Sequence, residues 1–140
     1  MNRNSLKFAA FYLGIGLIFT HELDAMSNSE WLVLPLTSWL PNSTGQFVFV
    51  VAHIPLFAVV VGLLASENSA MRARTRFFVA AFLVLHGVLH AAFVAHESYE
   101  FESVLSNVLI FGAALCGAIY LALNRTKTTV SGAEKDKLEQ

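Results

Sequence analysis

Apolar residues form four long blocks along this chain, and most of its charge lies outside them, in the short connectors and at the two ends. The blocks run from about Leu6 to Ala25, Gln46 to Ala65, Phe77 to His96 and Ser103 to Leu123. Each approaches or exceeds the ~20 apolar residues that a helix needs to cross a bilayer. Phe47 to Val51 has strand-like composition, but inside a longer apolar run it reads as helix. The pattern predicts an all-α fold, an integral membrane four-helix bundle with both termini cytoplasmic. Residues 1–125 make its single domain, with helices at about 6–25, 46–65, 77–96 and 103–123. Residues 126–140 read as a polar, disordered cytoplasmic tail.

Composition strengthens this reading. The 140 residues are 56% hydrophobic and 14% charged, where a soluble domain carries about 25% charged residues. A net charge of −1 with no basic stripe argues against a nucleic-acid partner. The expected partner is the lipid bilayer. Cys116, the single cysteine, rules out an intramolecular disulfide and reads as a small packing residue. Arg3 and Lys7 before the first block give it the look of a signal peptide. The block ends, however, in His21, Glu22 and Asp24, which match a cleavage site poorly, so it is expected to stay as a helix.

Lysine and arginine set the expected orientation. Arg3 and Lys7 precede the first span, Arg72, Arg74 and Arg76 lie between the second and third, and Arg125, Lys127, Lys135 and Lys137 follow the fourth. The other two connectors contain none. Both termini are therefore expected in the cytoplasm, of a bacterial inner membrane by the reading below. The first outer connector, from Glu30-Trp31 to Trp39-Leu40-Pro41, is amphipathic and carries two tryptophans of the interfacial kind. It is expected to lie across the outer mouth of the bundle as a lid or as a depth anchor.

The polar residues inside the spans carry the candidate chemistry. His86 and His90, four apart, share one helix face in the third span. Asp24 lies one turn beyond His21 at the end of the first, and His53 lies in the second, two residues before Pro55. Counting helical rise from the inner ends puts His21 at about 22 Å, His53 at about 18 Å, and His86 and His90 at about 14 and 20 Å. In a core about 30 Å thick these residues share the outer half. Imidazole and carboxylate are the ligand types of zinc and iron sites, and bundle cores build such sites from facing helices. His21, Asp24, His53, His86 and His90 are thus the candidate ligands for a divalent transition metal, zinc or iron foremost. Asn107 is placed to orient a histidine, and Glu97 is a weak candidate general base. Glu22 and His96 point away from the shared faces.

The segment His21-Glu22-Leu23-Asp24-Ala25, followed by Glu30-Trp31 and Pro35, resembles small bacterial membrane proteins of unknown function. These carry a His-x-x-acid motif at the end of helix one, as in the HXXEE type. That pattern closes on two acidic residues; here Asp24 fills the first position and Ala25 the second. The resemblance implies the four-span layout and no known reaction.

The leading expectation is a membrane metal site that serves an enzyme acting on a lipid or small amphipathic substrate. Two other classes fit the same residues: metal-ion or proton transport or sensing, and a small structural subunit with a histidine hydrogen-bond cluster. The sequence alone leaves enzymatic activity and oligomeric state open.

Overall fold

The computed structural model describes residues 2–138, and side chains as far as Arg125. It contains four long helices: α1 (Arg3–Ser27), α2 (Asn42–Ala65), α3 (Ser69–Phe93) and α4 (Val104–Leu138). A short 3-10 turn, Glu30–Leu32, interrupts the connector between α1 and α2. No strand occurs among the described residues. All four helices are long and apolar enough to cross a membrane, which points to an integral membrane protein.

The helices extend beyond the apolar blocks where local caps allow it. Asn2 accepts from the Ser5 backbone N–H at 2.9 Å and starts α1. Asn68 accepts from Ala70 and Met71 backbone N–H groups at 2.9 and 3.1 Å and starts α3 at Ser69, ahead of the Phe77 expected from hydropathy. The arginine-bearing segment is therefore already helical. A side-chain oxygen at the N-cap satisfies amides that a helix start otherwise leaves open. At the other end α3 stops at Phe93, before the expected His96. The tail expected over 126–140 falls on side chains outside the described set.

The core is built by α1, α3 and α4, with α4 between the other two. Phe11, Ala80 and Tyr120 form one buried cluster, and Ile18, Leu83 and Ala113 another, each drawing one residue from each helix. Small residues make the close approach possible. A Cβ placed on Gly117 would stand 2.5 Å from the Ala80 carbonyl oxygen, and one on Gly87 would stand 2.6 Å from the Ala114 Cβ. α2 is different. It lies to the side, and 6% of its apolar window is buried, against 28–39% for the others.

Two ends of the bundle can be told apart. Arg3 Nη2 donates to the Leu123 carbonyl at 2.7 Å, which brings the start of α1 to the far end of the apolar part of α4. The α1–α2 and α3–α4 connectors meet at the opposite end, where Ala25, Trp31, Phe49, Phe101 and Ile110 form a third cluster. The connector expected as a lid or as a depth anchor packs over this end. Trp31 is buried in the cluster and donates through Nε1 to Asn42 Oδ1 at 2.7 Å. The Thr37 hydroxyl donates to the Trp31 carbonyl at 2.8 Å. Trp39, by contrast, is exposed.

Candidate metal centre

Three of the histidines read from the sequence come together beneath this lid. His21 enters from the last third of α1, and His86 and His90 enter from one face of α3, as their four-residue spacing requires. Ring centroids stand 4.9 Å apart for His21 and His86, 5.0 Å for His21 and His90, and 4.5 Å for His86 and His90. The fourth member of the group is Glu30, delivered by the connector. Ser29 just before it adopts a left-handed backbone (φ 51°), which non-glycine residues rarely hold. Trp31 just after it is locked into the end cluster. Glu30 is thereby turned inward between two fixed points.

One ligand atom from each of His21, Glu30, His86 and His90 lies within 4.8 Å of the others, and all four residues are buried. Glu30 Oε2 stands 3.4 Å from His21 Nε2, and Oε1 stands 3.6 Å from His90 Nε2. The first contact is not aligned as a hydrogen bond and the second is too long for one. Ligand atoms around a tetrahedral ion with bonds of about 2.0–2.1 Å lie ~3.4 Å apart, so the longest separation in the group would contract by about 1.4 Å to close on one. Both nitrogens of His21, Nε2 of His86 and Oε2 of Glu30 are buried with no hydrogen-bond partner. Buried polar atoms in that state are costly, and a metal ion would satisfy them together. The group could therefore hold a metal.

The surroundings suit that role. The Tyr99 hydroxyl lies 3.2 Å from His90 Nδ1, which fixes the ring and leaves Nε2 facing Glu30. Such outer partners orient metal-binding histidines. Burial and the Glu30 charge both raise the Tyr99 pKa, so the hydroxyl stays neutral. Burial alone would push the Glu30 carboxyl up, but the His21 and His90 imidazoles beside it outweigh this and bring it down to about 2. Phe101 stacks edgewise on His90 at 4.9 Å and closes one side of the site.

The remaining sequence-derived residues lie outside the four. Asp24 is half-buried with one carboxylate oxygen lacking a partner, but a step of three residues leaves it about 60° off the direction of His21. His53 sits at the expected level and faces elsewhere. Its Nδ1 bonds the Phe49 carbonyl at 2.6 Å, and its Nε2 lies 3.0 Å from Glu22 Oε2. With both ring nitrogens engaged, His53 joins α2 to α1. Glu97 is exposed on the α3–α4 connector. Asn107 Nδ2 donates to the Ser103 and Phe101 carbonyls at 2.9 and 3.4 Å and so steadies the segment that carries Phe101.

Glu30 is the candidate ligand that sequence reasoning passed over. Its one signal was its place as the sole acid in an otherwise apolar outer connector. Fold and site together define a protein with four candidate membrane helices and a buried three-histidine, one-glutamate group capped by a connector. The chain belongs to the family of unknown function DUF6713, which matches residues 7–127. No curated protein and no solved structure matches it.

Proposed function

We propose that this is an integral membrane metalloprotein that holds one divalent first-row ion, zinc or iron, through His21, Glu30, His86 and His90. Both termini face the cytoplasm in this reading, and the metal lies near the outer surface. The observation that carries it is the convergence of four buried donors within 4.8 Å, several of them without any other partner. Three imidazoles and a carboxylate form a borderline donor set that suits zinc and iron better than calcium or magnesium. An ion so held supplies Lewis acidity to an oxygen donor that reaches it. His86, His90 and Glu30 border a cavity, so an added ligand has a direction of approach.

The test is elemental analysis of protein purified in detergent without added metal, beside a His86→Ala/His90→Ala double variant and Glu30→Gln. About one ion per chain is expected in the wild type, with loss in the double variant and weakened retention in Glu30→Gln. Wild-type protein that stays metal-poor even after incubation with zinc or ferrous iron would overturn the proposal. Equal metal in the double variant would place the site elsewhere.

A further inference from the structure

A cavity of about 180 Å³ opens beside the four-residue group. Glu30, His86 and His90 form its inner wall, while His21 lies fully buried and does not line it. A fifth ligand to an ion at this site would therefore come from the cavity side. The rest of the wall is nearly all hydrocarbon: Val33, Leu34 and Pro35 from the lid, Leu89 and Phe93 from α3, and Phe101. Tyr99 adds a polar edge, and its hydroxyl is already held by His90. At about 30 Å³ per water, the space would take about six, and an apolar wall offers them too few partners.

The exposure of one wall residue matters as much as the lining. Leu89 is 43% exposed on the outward face of α3, a helix apolar enough to lie in hydrocarbon. A second cavity of about 320 Å³ lies across His90, Tyr99 and Phe101 and includes the polar residues Glu102 and Asn107. Tyr99 and Phe101 thus form a partition. The second cavity, whose wall is also mostly apolar through Ala91, Val94, Phe101 and Phe111, has His90 alone of the four, whereas the first has three.

We propose that the first cavity binds the hydrocarbon chain of a single-chain amphiphile whose oxygen-bearing head ligates the metal. The chain runs past Leu89 toward the surrounding lipid. This rests on the metal reading above and adds the class of ligand to it. Donor atoms at one end and apolar wall along the rest match a molecule with one polar end. A small polar metabolite would leave the hydrophobic lining uncompensated.

Cobalt-loaded protein in detergent separates the two ideas, because the visible spectrum of cobalt reports a new ligand. Acetohydroxamate and octanohydroxamate share a metal-binding head and differ in chain. Wild-type protein is expected to bind octanohydroxamate about tenfold tighter or more, from burial of the added methylenes. Leu89→Trp, which fills the cavity, is expected to keep its cobalt and its acetohydroxamate response while losing that preference. Leu34→Trp obstructs the same cavity from the lid and serves if the first variant does not fold. Failure of the wild type to take up cobalt would overturn the metal reading. Cobalt uptake with no chain preference would overturn the amphiphile alone. So would a preference that persists in both tryptophan variants, since that comes from partition into micelles.

Discussion

Tyr99 offers the sharpest test at the scale of a residue, because it touches one ligand and lies outside the group of four. Its hydroxyl, 3.2 Å from His90 Nδ1, is on the side of the ring away from Glu30. Tyr99→Phe removes that bond and keeps the aromatic packing on Phe101. Metal affinity is expected to fall by about 10–100-fold, the usual cost of losing an outer partner. Competition with a chromophoric chelator measures this, and unchanged affinity would remove Tyr99 from the account. Glu30 gives a second test, on metal-free protein. Its carboxyl is brought from an ordinary 4.5 to about 2 in the folded chain. The contribution is therefore present above about 4.5 and is lost as pH falls toward about 2. Thermal unfolding between those limits should show an acid-dependent loss in wild type that is reduced in Glu30→Gln. Equal slopes would assign the effect to other groups. The difference in legibility between the histidines and Glu30 is physical. His86 and His90 announce themselves through helical period, whereas Glu30 depends on a left-handed residue and a buried tryptophan that no periodicity encodes.

Among the elements, α2 departs furthest from what hydropathy suggests. Its apolar run is the strongest of the four, yet it contributes least to the core. Hydropathy measures what a segment tolerates around it, and lipid satisfies an apolar helix as well as protein does. Depth counting had the same limit. It put His53 level with His21, and the Glu22 contact agrees with that level, but it carries no information about which way the ring turns. Polar contact does attach α2 to α1: the His53–Glu22 pair at 3.0 Å, beside Phe19 against Phe57 at 4.7 Å. Removing one partner of a buried pair costs more than replacing both with apolar residues. Glu22→Leu and His53→Leu should each lower the thermal midpoint in detergent, and the double variant should recover much of the loss. Additive losses would mean that the pair does not couple the helices. The metal content should be retained throughout, since neither residue belongs to the group of four.

The whole molecule has one basic end and one acidic end. Arg3 reaches the end of α4's apolar part, and Arg72, Arg74 and Arg76 lie in the first turns of α3 at that same end. The other end holds Glu97, Glu100 and Glu102 in the connector, with Glu30 drawn into the group of four. Positive residues as a rule stay cytoplasmic, so under the proposed topology the group of four faces outward. Single cysteines introduced into a Cys116→Ala background test it. Cys116 is buried, so its replacement by a small residue leaves the surface unaltered. Cysteine at Arg74 is expected to react with an impermeant reagent only after the membrane is opened, and cysteine at the exposed Trp39 in intact cells. The reverse pattern would turn the protein over. It would also turn over the supply of ligands, because the lid, the acidic connector and the cavity beside Leu89 all share one end. With the expected topology, metal and amphiphile arrive from the outer leaflet and its aqueous surface. An extracellular chelator should then strip the ion from intact cells faster than a cytoplasmic one.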